Sequence, residues 1–208
     1  MLWTWLLLLC LGEHFDLEPD SAETRRWVAY LDDVRYHQTH TALLNAIEHL
    51  PRLRAIFNEE GIPEDLVWMA LIESGFRHDA TSPTGAQGMF QFKVLTARAF
   101  GLSVSPKEDD RDDPYLAARA AAKYLAYLRA KFDSWELVLA AYNLGEGDLR
   151  RTMQARKAKT WREVKPFVRP ETRAYVGKVK AAAVIGNDFL KSEMPQKYRE
   201  ITIYQVKK

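Results

Sequence analysis

Glu73 is the residue whose surroundings most call for a chemical explanation. It closes the run Leu66-Val67-Trp68-Met69-Ala70-Leu71-Ile72, which is apolar throughout. At helical spacing Leu66, Met69, Ala70 and Glu73 fall at i, i+3, i+4 and i+7, so the carboxylate lies in line with part of the apolar surface. Taking an unpaired carboxylate out of water is costly, and its pKa rises. An acid kept protonated near neutral pH can protonate the leaving oxygen of a glycosidic bond. A glutamate that has reached the helix end and turned to water explains this helix equally well.

Two further segments bear on the choice. Ser82-Pro83-Thr84-Gly85-Ala86-Gln87-Gly88-Met89-Phe90-Gln91 joins a glycine-bearing loop to what reads as a helix start. Glycine lets a backbone approach a ligand closely, and free amides at a helix start can donate to sugar oxygens. Gln91 adds an amide that both donates and accepts. The segment Ala140 to Gly147 ends a helix at Tyr142-Asn143, before Gly145 and Gly147. Tyrosine and asparagine there suit the wall of a sugar cleft. Taken singly, each segment is better read as an ordinary turn or helix cap.

The elements that must position these residues are helices. Trp27, Tyr30, Leu31 and Val34 form a narrow apolar stripe over Ser21 to Gln38. Leu43, Leu44, Ile47, Leu50, Leu53, Ile56 and Phe57 mark a second stretch, broken or kinked by Pro51 and stopped at Gly61. Ile62-Pro63-Glu64-Asp65 opens the helix of Glu73, which Gly75 ends. A short helix is expected from Met89 to Phe100. Asp113 and Pro114 open another, with Leu116, Ala120, Tyr124 and Leu128 on one face. Ser134 caps the next, and Pro170 begins the last, with Val176, Val179, Ala183 and Leu190 on its buried side. The tail Tyr198 to Val206 alternates in part and suits a lone extended segment. The chain reads as all-α.

Composition narrows the function classes. Hydrophobic residues make up 47 % of the 208 residues, enough for a packed core, and the formal net charge is +2. That charge does not argue for nucleic acid. The basic residues Arg150, Arg151, Arg156, Lys157, Lys159, Arg162, Lys165 and Arg169 gather late in the chain and read as a solvated face. The single cysteine, Cys10, rules out an intramolecular disulfide. His37 and His40 are spaced to share a helix face but have no third ligand in view, so a surface pair is the better reading. Met1 to Gly12 (MLWTWLLLLCLG) is too short to span a bilayer, which takes ~20 residues, and suits the apolar core of a secretory signal. No Lys or Arg precedes it, and Leu9 stands where a lipoprotein signal has a small residue before its cysteine. Export is therefore expected, with a lipid anchor at Cys10 the weaker alternative.

Three motifs in order give a more specific reading. Glu73-Ser74, Gly88-Met89-Phe90-Gln91 and Ala141-Tyr142-Asn143 resemble the Glu-Ser, Gly-Leu-Met-Gln and Ala-Tyr-Asn runs of the lytic transglycosylases. These enzymes form glycoside hydrolase family twenty-three, within the goose-lysozyme-like superfamily. Ile62-Pro63, Ala80-Thr81-Ser82, Arg111-Asp112-Asp113-Pro114 and Glu171-Thr172-Arg173-Ala174-Tyr175-Val176 are similar to the membrane-bound transglycosylase D type. The resemblance covers Gly61 to Asp188. Met89, Phe90 and Leu144 depart from the usual residues but keep apolar character.

The resemblance implies a lysozyme-like helical domain with a substrate cleft at residues 61–192. Residues 1–12 would be a targeting segment, 13–60 a helical extension and 193–208 a short extended tail. It implies a cofactor-free and metal-free enzyme, monomeric, exported to the periplasm and anchored to the outer membrane if Cys10 is lipidated. Its partner would be the peptidoglycan glycan strand. Glu73 would protonate the oxygen between N-acetylmuramic acid and N-acetylglucosamine, then act as base on the muramoyl C6 hydroxyl. Ser74, Gly88, Met89 and Gln91 would contact substrate or orient the site. Tyr142 and Asn143 would line the cleft beside the acetamido group, and Tyr175 would hydrogen-bond to Glu73. A hydrolase of the same superfamily would need a second carboxylate, with Asp109, Asp110, Asp112 and Asp113 the candidates. A wall-binding protein that keeps the fold without catalysis is the third reading.

Overall fold

The computed structural model describes residues 15–19 and 21–192. The apolar leader with Cys10 and the alternating tail lie outside the described residues. Ten α-helices follow in order: α1 (Ala22–Ala29), α2 (Tyr36–Ala46), α3 (Leu50–Glu59), α4 (Met69–Glu73), α5 (Val94–Ala99), α6 (Pro114–Arg129), α7 (Trp135–Leu144), α8 (Glu146–Arg156), α9 (Trp161–Val164) and α10 (Pro170–Ser192). Among the described residues the β-structure amounts to three isolated bridges, Thr81 with Gln87, Gln87 with Phe92, and Val104 with Asp109. The all-α expectation holds.

The helix starts follow their capping chemistry. The Ser21 side chain accepts from Thr24 N, Asp113 from Tyr115 N and Leu116 N, and Ser134 from Leu137 N. Pro51 lies in the first turn of α3, where its missing N–H costs nothing, and the chain breaks before it as expected. Glu64–Trp68 is a 3₁₀ turn that leads into the single α-turn of α4. Gly75 then takes a left-handed conformation, φ +65°.

α10 packs across α1, α4 and α7, and α3 packs on α6 and on the 3₁₀ turn before α4. The segment leading to Glu73 sits at the centre of this arrangement. Leu66, Val67, Trp68, Met69 and Ala70 are fully buried, and the large ones contribute about 1.5–3 kcal/mol each through burial. The indole N–H of Trp68 is satisfied by Asn187 Oδ1 of α10 at 3.0 Å. Trp68 and Trp135 are core residues. The core crosses the expected boundary at residue 60, since Leu43, Leu50, Leu53, Ile56 and Phe57 belong to the same cluster as Met69, Leu125 and Val179.

Four local expectations need correction. Ser21 to Gln38 is not one helix, because a π-turn at Tyr30–Val34 and Arg35 separate α1 from α2. The wider π-turn rotates Val34 off the stripe, and it is 70 % exposed. Leu44 and Leu116 point to solvent, while small alanines (117, 118, 120, 121 and 122) let α6 sit deep in the core. The helix expected from Met89 starts only at Val94.

Candidate active site

Glu73 is the last residue of α4, and its side chain is half-buried. α10 crosses α4 so that Tyr175 Oη donates to Glu73 Oε1 at 2.6 Å. The other carboxyl oxygen has no protein partner among the described residues. Burial pushes the Glu73 carboxyl up from the ordinary 4.5 to about 7. The Tyr175 hydrogen bond opposes that rise, and the charge of Glu171 adds to it. Burial also holds the Tyr175 and Tyr142 phenols well above their ordinary range, so both stay neutral donors.

These shifts set a pH dependence. The protonated acid is the form able to donate to a leaving oxygen, so an activity that rests on Glu73 as acid falls as pH rises through about 7. Tyr175→Phe removes a donor to the charged form, which raises the Glu73 pKa further. The alkaline limb of the kcat/KM profile then moves to higher pH, and an unmoved limb would remove Tyr175 from the control of Glu73.

The loop from Ala80 to Phe92 meets this region through the Ser74 hydroxyl and does not itself line the cleft onto which Glu73 opens. Gly88 takes φ +79°, and a Cβ there would collide with the backbone carbonyl of Arg111. Arg111 is itself buried. Its guanidinium donates to Asp109 Oδ1 at 2.8 Å and Oδ2 at 2.6 Å, and to the Phe92 carbonyl at 3.1 Å. Gln87 Nε2 donates to Asp112 Oδ1 at 2.7 Å. The acidic run after Gly101 thus pins the loop. Asp110 accepts from Ser103 N at 2.7 Å and Asp113 caps α6, so all four aspartates have structural partners.

The loop is turn rather than helix because Gly88 and then Gln91, at φ +51°, are both left-handed. Gln91 is thereby folded back. Its Nε2 donates to the Ala80 and Gly88 carbonyls at 3.0 and 2.9 Å, which makes it a brace of the loop. Met89 is fully buried, so only its backbone borders the site, where its carbonyl accepts from Ser74 Oγ at 2.9 Å. Tyr142 Oη donates to the Phe90 carbonyl at 2.8 Å. Asn143 Oδ1 accepts from Thr172 Oγ1 of α10 at 2.8 Å. The structure therefore joins Glu73 to Tyr175, Ser74 to the loop, Tyr142 to the loop, and Asn143 to α10.

Glu73 and Ser74 open onto a cleft of about 650 Å³ whose other wall is the π-turn and α2. Arg35, His37, Gln38 and Asn45 line that wall, and Arg77 and Lys178 line the same cleft. The sequence reading missed these residues. For Lys178 a signal existed, since it follows Tyr175 by three residues and shares its helix face. Among the described residues no cluster of His, Cys, Asp or Glu is arranged to hold a metal ion.

The sequence model of the family described as Transglycosylase SLT domain matches residues 54–164. This chain belongs to the transglycosylase SLT family. The matched stretch includes Glu73, the Gly88 to Gln91 turn and Tyr142-Asn143, whereas Tyr175 and Lys178 follow it. The chain is 51 % identical over 92 residues to "Peptidoglycan transglycosylase gp16" of Escherichia phage T7, covering 43 % of this chain and 7 % of that protein. It is 31 % identical over 152 residues to "Membrane-bound lytic murein transglycosylase D" of Escherichia coli K12, covering 70 % of this chain and 33 % of that protein. It thus spans a third or less of the length of these SLT relatives. The crystal structure of an inactive mutant of lytic transglycosylase Slt from Pseudomonas aeruginosa shares the fold, with TM-score 0.57 at 24 % identity, covering 90 % of this chain and 39 % of that chain.

Proposed function

We propose that the chain is a peptidoglycan lytic transglycosylase with Glu73 as its one catalytic acid and base. The observation that carries this reading is the tyrosine-held carboxyl of Glu73, pushed up to about 7 on the wall of an open cleft, in a chain of the SLT family. Glu73 donates its proton from the oxygen without a protein partner to the bridging oxygen of the MurNAc–GlcNAc bond. The C1–O bond breaks, and the N-acetylglucosamine side leaves as an alcohol. The Glu73 carboxylate, steadied by the Tyr175 O–H, then takes the proton of the muramoyl C6 hydroxyl as that oxygen attacks C1. The 1,6-anhydro ring closes without water, and Glu73 is protonated again. Ser74 lines the cleft beside Glu73, while Gly88, Met89, Gln91, Tyr142 and Asn143 hold the loop and helix end behind it and orient the site from there.

Two-carboxylate glycosidases place their pair ~5–9.5 Å apart. The four aspartates of the 109–113 stretch are committed to Arg111, Ser103, Gln87 and the α6 cap, so none is left over as that partner. Glu171 is the carboxylate whose charge is felt at Glu73, and it is exposed. In a one-carboxylate mechanism Glu171→Gln slows cleavage by no more than about threefold and leaves anhydro ends as the products. It also moves the alkaline limb slightly toward acid. Complete loss of activity in that variant would move the assignment to a hydrolase.

The relative from Escherichia coli is named as membrane-bound. Among the described residues no helix is long and apolar enough to cross a membrane. Export to the periplasm through the apolar leader is the localisation that fits the proposed substrate, with membrane attachment at Cys10 the weaker alternative.

A further inference from the structure

The cleft that holds Glu73 carries more positive charge than the reaction requires. Arg35 stands at the break between the π-turn and α2, Arg77 follows α4, and Lys178 lies one turn beyond Tyr175 on α10. All three line the cleft, and Glu73 is the sole carboxylate among its lining residues. Several other cations of this molecule are matched by carboxylates: Arg119 by Glu59 and Glu60, Lys131 by Glu146, Lys165 by Glu23, and buried Lys180 by Glu18 and Glu136.

No ion pair is made by Arg35, Arg77 or Lys178 among the described residues. The Lys178 ammonium rests over the rings of Trp27 and Tyr30, 5.1 and 5.8 Å from their centres, and Arg77 Nε donates to the Ser74 carbonyl at 3.3 Å. Arg35 and Arg77 are exposed. Asp32 of the same π-turn does not offset them in the cleft, because it lines a separate groove with Asp188. With its carboxyl pushed up to about 7, Glu73 carries only part of a charge near neutral pH and cannot offset three cations.

We propose that Arg35, Arg77 and Lys178 form a carboxylate-binding wall that selects glycan strands bearing anionic peptides. The proposal rests on the lytic reading of Glu73. The sugar backbone of the strand is neutral. Its negative charge lies on the carboxylates of the short peptides amide-linked to the lactyl group of muramic acid, or on the lactyl carboxylate itself where no peptide is attached. A guanidinium meets a carboxylate in two parallel hydrogen bonds, which gives direction as well as attraction. His37, Gln38 and Asn45 add polar groups between the cations, suited to peptide N–H and C=O groups. A peptide held on this wall would fix the muramoyl ring with its bridging oxygen toward Glu73.

The test compares cutting rates, at low strand concentration, on three purified substrates. These are N-acetylated peptide-bearing strands, the same strands after amidation of their carboxylates with methylamine, and peptide-free strands that keep the lactyl carboxylate. The wild-type chain should cut charged strands about tenfold faster than amidated ones, and added salt should shrink that ratio. In Arg35→Gln/Lys178→Gln the ratio should fall near one, while Arg35→Lys/Lys178→Arg should retain most of it. Equal cutting of charged and amidated strands by the wild type overturns the proposal and leaves the lytic activity standing. Peptide-free strands cut as fast as peptide-bearing ones overturn it too, by assigning the wall to the lactyl group. If no strand is cut, the lytic reading fails. Co-sedimentation of Glu73→Gln with charged and amidated strands then decides: preference for charged strands upholds the wall, and equal retention overturns it.

Discussion

Glu73→Gln lowers the rate of wall cleavage by at least about 10³-fold, with helical content and cooperative unfolding unchanged. The amide fills the same space beside Tyr175 but can neither give nor take the proton. The same variant should be more stable than the wild type at alkaline pH. The folded-state pKa of Glu73 is raised from 4.5 to about 7, so between those values the native chain binds more protons than the unfolded one. Wild-type stability is therefore highest below the unfolded pKa and declines as pH rises through the folded pKa. The loss at pH 8 is about 3 kcal/mol at most, and glutamine escapes it. Thermal melts of both proteins at pH 5 and pH 8 check this, with the gap in Tm opening only at the higher pH. A wild type and variant that melt together at pH 8 would mean that Glu73 is solvated and ionised, as an ordinary surface glutamate is.

Gly88→Ala should be strongly destabilising, costing about 3–5 kcal/mol in urea unfolding. Two causes add at this position. The backbone is left-handed at φ +79°, and the new methyl group would meet the Arg111 carbonyl, a backbone atom held by the turn that carries the buried guanidinium. Gly85 separates the two causes, because its φ is +78° but no atom lies within 4 Å of a Cβ built there. Gly85→Ala should therefore cost only about 1 kcal/mol. If the two variants are equally destabilised, conformation alone governs the loop. If neither loses more than about 1 kcal/mol, the packing of Gly88 on Arg111 is not what holds the loop behind Ser74.

The parts of the site that the sequence disclosed are those set by local rules. Glu73 announced itself because a carboxylate at i+7 from Leu66 breaks an apolar run. Asp113, Ser134 and Pro51 marked their helix starts because side-chain oxygens and a fixed φ act within a few residues. The errors have long-range or conformational causes. Met89 to Gln91 looked helical because nothing in a glutamine signals φ +51°, which is imposed here by the bridges of Gln87 with Phe92 and by Arg111 reaching back from nineteen residues away. Val34 looked buried because a π-turn leaves no mark in a hydrophobic stripe. Arg35, Arg77 and Lys178 were invisible as a group because three helices and a turn must fold before they share a cleft. The Tyr175 hydrogen bond to Glu73, expected only from the family resemblance, is made by α10 crossing α4, a packing angle that no local pattern encodes.

The central claim is that one carboxylate makes and breaks the bond without water, and product chemistry tests it most directly. Purified peptidoglycan is digested in water enriched in oxygen-18 by the chain from about residue 13 onward, with Glu73→Gln alongside, and the muropeptides are weighed. The account predicts products from the wild type alone, each lighter than its hydrolytic counterpart by one water, ending in 1,6-anhydromuramic acid and free of label. Reducing ends that carry oxygen-18 would contradict it and show that water, activated by a second group, attacks C1.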